Sequence, residues 1–135
     1  MGTRSRIGIQ LADDSILSIY CHYDGYPEFN GVKLVENFKS YEKAAELIDG
    51  GDISCLWTDK DWDGNKWSDC KYQVLTYKMR GEDCPPRLDA TFGKYLADGE
   101  EYAYLFANGE WVCYDTRDWR DTYKQKIEIK TPVAA

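Results

Sequence analysis

Apolar and polar residues alternate strictly in two short segments near the N-terminus. Within residues 6–11 and again within 17–22, aliphatic side chains and one cysteine occupy the odd-numbered positions. A repeat of two residues is the period of a β-strand that buries one face. The turn-forming residues Asp13, Asp14 and Ser15 lie between the two segments, so the pattern predicts a β-hairpin.

The register of this hairpin follows from its apolar faces. A shift of one residue would turn one strand's apolar side chains to the opposite face, and keeping them together pairs Ile7 with Cys21. This register places Arg6 directly opposite His22 on the other face. The sequence therefore predicts a cationic and aromatic cluster on that face, composed of Arg4, Arg6, Tyr20 and His22.

The middle of the chain predicts helices followed by two strand-like segments. The apolar spacing of residues 32–38 indicates a short helix, and Ser40 caps a second helix that ends at Gly50. Residues 52–57 indicate a short buried connector or strand, and residues 72–77 indicate a further strand.

A second hairpin is predicted near the C-terminus. Asn108 and Gly109 lie between two strand-like segments, and this pair favours a type I′ turn because both turn positions need positive φ. Residues 126–130 alternate again and predict an edge strand. We therefore expect one domain over residues 1–135, of the α+β class, whose antiparallel sheet is built from an N-terminal and a C-terminal hairpin and packed with one or two helices at about 31–49.

Charge and hydropathy exclude several classes of partner. The formal net charge is −7, whereas binding along a nucleic-acid polymer needs a basic surface. The chain has no apolar run of the roughly 20 residues that cross a bilayer, and its N-terminus lacks the apolar segment of a signal peptide. We expect no membrane partner and an intracellular protein.

Neither the cysteines nor the acidic residues predict a metal or a cofactor. The five cysteines are an odd number without a C-x-x-C spacing, which favours reduced thiols over a zinc site or disulfides. Residues 59–65 carry oxygen ligands at alternate positions, as a calcium loop does, but Cys70 stands where that loop needs a bidentate glutamate. An exposed polar loop at 58–69 is the better interpretation.

Several motifs together resemble a family of small bacteriophage proteins of unassigned activity. These motifs are residues 1–6 (MGTRSR), 20–27 (YCHYDGYP), 50–54 (GGDIS), 80–83 (RGED) and 101–106 (EYAYLF). The resemblance covers most of the chain, and its first two motifs are distinctive.

The chain departs from the family pattern at two positions. The position of Tyr23 is more often Trp in the family, and that of Cys55 more often Ser. The resemblance implies a viral protein in the host cytoplasm, where small accessory proteins counter host defences. It implies either sequestration of a nucleotide immune signal by an oligomer or a block of a host protein.

The chain's only histidine is the first candidate for a functional role. His22 is either a hydrogen-bonded structural residue or a general acid or base, and the second role needs a positioned partner such as Asp24 or Glu82. Guanidinium groups bind phosphate bidentately, and tyrosine rings can stack on a nucleobase. The alternative is that the arginines pair with surface carboxylates. The predicted ligand-binding residues are Arg4, Arg6, Tyr20, His22, Tyr23, Asp24, Tyr26, Arg80 and Glu82.

Three functions follow from these candidates. The first is a non-enzymatic phage accessory protein that sequesters a small anionic, nucleotide-like ligand in a pocket between protomers of a homo-oligomer, with no catalytic residue assigned. The second is an inhibitor that binds a host protein through an acidic, tryptophan-bearing face at 59–69. The third is a hydrolase that depends on His22 together with Asp24 or Glu82, and it has the least support because no second histidine or serine motif accompanies it.

Overall fold

The computed structural model describes residues 3–61, 63–66, 73–97, 100–116, 125–127 and 129. Its strands belong to one mixed sheet and its helices pack on both faces of that sheet. The strands are β1 Ser5–Gln10, β2 Ile16–Cys21, β3 Ile53–Thr58, β4 Gln73–Thr76, β5 Arg87–Asp89, β6 Tyr102–Ala107, β7 Glu110–Asp115 and β8 Gln125–Ile127. The α-helices are α1 Val32–Asn37, α2 Tyr41–Asp49 and α3 Phe92–Ala97, with a π-helical turn at Pro27–Gly31 and a 3₁₀ turn at Tyr77–Arg80.

The sheet has the strand order β4-β3-β2-β1-β6-β7-β8, and β5 also pairs with β2. Both predicted hairpins are present, as β1–β2 and β6–β7, and the predicted α+β class is confirmed. The hairpins lie side by side because β1 pairs with β6, and that pairing is parallel. The pairing of β2 with β3 is also parallel, so the sheet is mixed although its hairpins are antiparallel.

The predicted register of the first hairpin is wrong by two residues. Ile7 pairs with Ile19 rather than with Cys21, so Arg6 lies opposite Tyr20 and not opposite His22. A shift of two residues leaves every side chain on its predicted face. The apolar face and the cationic and aromatic face are therefore those that the alternation predicts.

The turn between β1 and β2 explains this register. Its three central residues end at Asp14, which has a φ of +68°, and the Leu11 N–H donates to the Ser15 carbonyl over 2.8 Å. The Asp13 carboxylate accepts from the Ser15 backbone N–H over 3.0 Å. A three-residue loop with its last residue in the left-handed region is a common hairpin connection. With this loop, each residue of β1 pairs with the β2 residue two positions earlier than the one that the apolar pattern alone predicts.

Two apolar clusters cover the two faces of the sheet. The larger cluster packs α1 and α2 against one face, and its buried members include Ile7, Ile19, Leu34, Leu47, Ile48, Ile53 and Tyr104. The smaller cluster packs α3 against the other face and consists of Ile16, Tyr95, Leu96, Ala103 and Leu105. The second layer was not predicted, because neither β5 nor α3 is long enough to show a clear period.

The local predictions at α2 and at the second hairpin are confirmed. The Ser40 hydroxyl accepts from the Lys43 N–H over 3.2 Å at the start of α2, and the helix ends at Asp49. Asn108 and Gly109 have φ values of +54° and +79°, as a type I′ turn requires. None of the helices in the described residues is long and apolar enough to cross a membrane.

Candidate functional site

A hydrogen bond between two side chains marks the site. The Tyr20 hydroxyl lies 2.7 Å from Nδ1 of His22, and the edge of the Tyr23 ring meets the His22 ring at a centroid distance of 4.5 Å. The backbone N–H of His22 donates to the Ile53 carbonyl over 3.2 Å, so the start of β3 holds this segment in place. Tyr23 is 43% exposed, which leaves an aromatic surface open to solvent.

Charged groups and a further tyrosine surround the Tyr20 hydroxyl. Burial raises the pKa of Tyr20, while the nearby positive charge of Arg4 lowers it and the negative charge of Glu100 raises it. The guanidinium of Arg80 lies 5.1 Å from the centroid of the Tyr77 ring. Burial, followed by the influence of Tyr20, raises the pKa of Tyr77 to about 12, against a lowering effect of Arg80. Arg80 thus contacts the ring of a second tyrosine whose pKa responds to Tyr20.

The two carboxylates predicted to orient His22 have other partners. Glu82 forms an ion pair with Arg80 at the end of the 3₁₀ turn. Burial raises the pKa of Tyr26, and the neighbouring carboxylate of Asp24 raises it as well. Within the described residues, the side-chain hydrogen-bond partner of His22 is Tyr20. Neither Asp24 nor Glu82 is bonded to His22 in the part of the chain that the structure describes.

Arg6 lies beneath the site rather than in it. The residue is only 6% exposed, and its Nε donates to the Ser18 hydroxyl over 3.0 Å while Nη2 donates to the Ser18 carbonyl over 3.2 Å. Burial lowers the pKa of Arg6, and the neighbouring charge of Arg87 lowers it further. Two of its nitrogens thus bond β2, and Arg6 supports the sheet under Tyr20.

Asp52 belongs to the site although the sequence analysis did not single it out as a ligand-binding residue; its one signal was its place in the motif at 50–54. Its Oδ1 accepts from the Tyr20 backbone N–H over 2.8 Å. Burial raises the pKa of Asp52, and the Tyr20 N–H and the positive charges of Arg6 and Arg87 partly offset this rise. Asp52 directly follows Gly51, whose φ is +82°, so the carboxylate is aimed by a backbone conformation that glycine adopts readily.

The Asp52 carboxylate lies where two strands part from one edge of β2. β5 pairs with β2 at Ile16–Ser18, and β3 pairs with it at Cys21. Backbone groups in such a gap need side-chain partners, and here Asp52 and Arg6 supply them. We refer to the polar side chains around this gap as the seam; they are Arg6, Ser18, Asp52, Arg87 and Asp89.

Arg87 is the second residue of the seam that sequence reasoning missed. Its Nε donates to Oδ2 of Asp89 over 2.9 Å. Its Nη2 is buried and has no hydrogen-bond partner in the described part of the chain. The only available signal was weak: Arg87 and Asp89 are two residues apart and therefore share a face once β5 is known to be a strand.

The structure describes part of the acidic loop and four of the five cysteines. The Asp61 carboxylate accepts from the backbone N–H groups of Asp63 and Asn65, and no cluster of potential metal ligands occurs among the described residues. Trp62 and Trp67, on which the acidic interface depends, lie outside the described residues. The described cysteines are free thiols, namely Cys21, Cys55, Cys84 and Cys113, and burial raises the thiol pKa in each of them.

An apolar groove lies apart from this site, between α2 and strands β3 and β4. It has a volume of about 530 Å³, and its walls include Phe38, Leu47, Trp57, Val74 and Met79. None of the predicted ligand-binding residues lines it.

In comparisons with known proteins, no family model, no curated protein and no solved structure matches the chain. The chemistry of the site therefore has to be inferred from its own geometry.

Proposed function

We propose that the protein binds a small anionic ligand of the nucleotide class at the Tyr20–His22 site and sequesters it without turnover. The observation that carries this proposal is the Tyr20 hydroxyl, bonded to His22 over 2.7 Å. The positive charge of Arg4 acts on Tyr20, and the guanidinium of Arg80 lies over the ring of Tyr77. Guanidinium groups beside aromatic rings suit a ligand that carries both a phosphate and a base.

The absence of turnover is supported by the partners of His22. General acid or base catalysis needs a side chain held within reach of the proton that it transfers and kept in the correct tautomer. His22 bonds a phenol, the carboxylate of Glu82 is paired with Arg80, and that of Asp24 acts on Tyr26. The imidazole is thus arranged as a polar contact for a ligand, not as half of a catalytic pair.

The biological setting is part of the same proposal. The resemblance to bacteriophage proteins suggests that the protein acts in the host cytoplasm against a nucleotide immune signal and that homo-oligomers retain the ligand. Native mass spectrometry of protein purified from defence-active host cells tests both parts, because one spectrum reports the assembly and any retained small molecule. A bare monomer from such cells would contradict this setting.

Binding is tested by calorimetric titration with a panel of nucleotides, including the four common 5′-monophosphates and cyclic dinucleotides. Removing one charge-assisted hydrogen bond costs about 1.5–3 kcal/mol, so Arg4→Ala and Arg80→Ala should each weaken binding about 10- to 100-fold. Lys39→Ala removes an equal charge from an exposed residue outside the site and should leave affinity unchanged. Arg6→Ala is unsuitable, because Arg6 is buried and bonded to Ser18.

Two results would refute the proposal. One is wild-type affinity in both arginine variants, and the other is the absence of binding to any member of the panel. Chromatography of the bound nucleotide after prolonged incubation tests turnover. If the wild type formed a hydrolysis product and His22→Ala did not, the protein would be a hydrolase and the proposal of sequestration would be wrong.

The host-protein inhibitor stays a second proposal. Pull-down from host lysate distinguishes it, because charge reversal at Asp61 and Asp63 should release the partner while nucleotide binding persists. No described contact favours it over the first proposal.

A further inference from the structure

The apolar groove between α2 and strands β3 and β4 is a cavity that the proposed function does not use. Its volume of about 530 Å³ lies within the range of roughly 300–1,000 Å³ that is usual for small-molecule sites. Phe38, Trp57 and Met79 supply two aromatic rings and a thioether to its walls, and Met79 is 51% exposed. Such walls suit a ligand with a flat apolar body.

Both aromatic walls of the groove are held in place by contacts of their own. Nζ of Lys33 lies 5.7 Å from the centroid of the Trp57 ring, which is within the distance of a cation–π interaction. The backbone carbonyl of Phe38 accepts from Nε1 of Trp111 over 2.7 Å. A ligand that enters walls already fixed in position loses less of its binding free energy to ordering them.

Two charged side chains of α2, one positive and one negative, line the groove beside these rings. They are Lys43 and Glu46, which lie on one face of the helix because they are three residues apart. Both are exposed, and neither forms an ion pair with another described residue. A lysine that precedes a glutamate along a helix forms the weaker of the two possible pairs. The groove thus offers a cation and an anion side by side next to an aromatic surface.

The ligand complementary to this arrangement carries both charges. A carboxylate alone would be attracted by Lys43 and repelled by Glu46, and an ammonium group alone would experience the reverse. We propose that the groove binds a free amino acid with an aromatic side chain, whose ring packs against Phe38 and Trp57 while its carboxylate pairs with Lys43 and its ammonium group with Glu46. This site is independent of the nucleotide-class site, because none of the predicted ligand-binding residues lines the groove.

The location is tested by titrating isotope-labelled protein with L-tryptophan and recording amide NMR spectra. The amide signals of Leu47, Val74 and Met79 should move and saturate, since these residues line the groove. The amide signal of Tyr23, which belongs to the other site, should stay in place. The absence of saturable shifts at the groove residues would overturn the proposal.

Gly50 allows the groove to be filled without backbone strain. It lines the groove, and its φ of −72° is allowed for any residue. A Cβ atom there would lie 3.5 Å from the Leu47 carbonyl oxygen and 3.9 Å from Cγ2 of Thr76, which are ordinary contact distances. Gly50→Leu should weaken binding of L-tryptophan about 10-fold or more. Gly93→Leu adds the same side chain at an exposed position of α3 and should not alter the affinity. If both variants bind L-tryptophan as the wild type does, the ligand does not occupy the groove.

Ligands that lack one charge test the pairing with α2. Indole-3-propionate lacks the ammonium group of tryptophan, and tryptamine lacks its carboxylate. Because exposed ion pairs contribute little, each should bind about 2- to 5-fold more weakly than L-tryptophan. Lys43→Gln should weaken L-tryptophan by that factor without weakening tryptamine, and Glu46→Gln should weaken L-tryptophan without weakening indole-3-propionate. Equal affinities of the wild type for the three ligands would contradict a zwitterionic ligand.

A second copy of the chain is the alternative occupant of the groove. If the amide signals of the groove residues change with protein concentration alone and L-tryptophan does not alter them, the groove is a contact between copies and the proposal is wrong.

Discussion

Replacing Gly51 by alanine should destabilise the protein through a contact that no other described positive-φ glycine makes. Gly51 has a φ of +82°, and a Cβ atom added to it would lie 2.4 Å from the carbonyl oxygen of Cys84. That distance is about 1 Å short of van der Waals contact. The obstacle is backbone, which cannot rotate away as a side chain can, so the chain near Cys84 or Gly51 must move.

Two other glycines serve as controls, because they share the left-handed backbone of Gly51 but not its steric clash. Gly64 and Gly81 have φ values of +88° and +85°, and an added Cβ atom would meet no described atom within 4 Å at either position. Left-handed backbone costs a residue with a side chain about 1–2 kcal/mol, while alanine also reduces the entropy of the unfolded chain by about 0.4–1 kcal/mol. Each of these two substitutions should therefore cost about 1 kcal/mol.

Gly51→Ala should cost the same free energy for its left-handed backbone and should also weaken two hydrogen bonds. The displaced carbonyl of Cys84 accepts from the Asp52 N–H over 2.9 Å, and the same displacement moves the Asp52 carboxylate relative to Tyr20. Losing or lengthening these two hydrogen bonds costs about 1 kcal/mol each. The expected total is about 3 kcal/mol, about 2 kcal/mol more than at Gly64 or Gly81.

Urea unfolding and thermal melting of the three variants measure this difference. A chain of 135 residues shifts its Tm by about 3.5 °C per kcal/mol. Gly51→Ala should thus melt about 10 °C below the wild type, and Gly81→Ala about 3–4 °C below it. If the free energies of unfolding of these two variants agree within about 0.5 kcal/mol, the close approach of Gly51 to Cys84 does not exist and the placement of Asp52 inferred from it is wrong.

Three further predictions concern buried polar groups. Tyr95→Phe removes a donor that bonds the Tyr104 carbonyl over 2.6 Å, so urea unfolding should show a loss of about 1–2 kcal/mol, whereas Tyr41→Phe, at a residue 49% exposed, should show none. Burial raises the pKa of Asp52 above 3.8 in the folded state. The stabilisation that protonated Asp52 provides is therefore complete below pH 3.8 and is lost as the pH rises through the folded-state pKa. The unfolding free energy of the wild type relative to Asp52→Asn should therefore fall as pH increases from about 4, and a difference independent of pH would contradict the burial of Asp52. Absorbance titration at alkaline pH should show that Tyr77→Phe loses a phenol that ionises near pH 12, and loss of a phenol that ionises near its ordinary pKa of about 10 would contradict the burial of Tyr77.

The parts of the fold that the sequence predicted are those with local physical causes. Alternation identified the strands of the first hairpin, the Asn108-Gly109 pair between strand-like segments identified the second, and Ser40 identified a helix start. The register of the first hairpin depended on the conformation of Asp14, which alternation does not contain. The parallel contact between β1 and β6 joins segments about a hundred residues apart, and β5 has only three residues.

The same distinction applies to the site. Tyr20, His22 and Tyr23 lie within four consecutive residues, and the sequence singled them out together. Asp52 and Arg87 come from separate segments that meet only where β3 and β5 part from β2. Their roles depend on burial and on neighbouring charges, which no short motif encodes.

The parallel pairing of β1 with β6 also governs how this chain reaches its native state. It requires a loop closure spanning 97 residues, the separation at which the Arg4 N–H meets the Glu101 carboxylate, and such non-local pairings slow folding. During synthesis the N-terminal hairpin therefore emerges long before its neighbour at Tyr102–Ala107 exists. Until then one edge of β1 is bare, and an unpaired strand edge invites association with other chains. The interval in which this protein is most prone to aggregate thus precedes completion of its central strand pair.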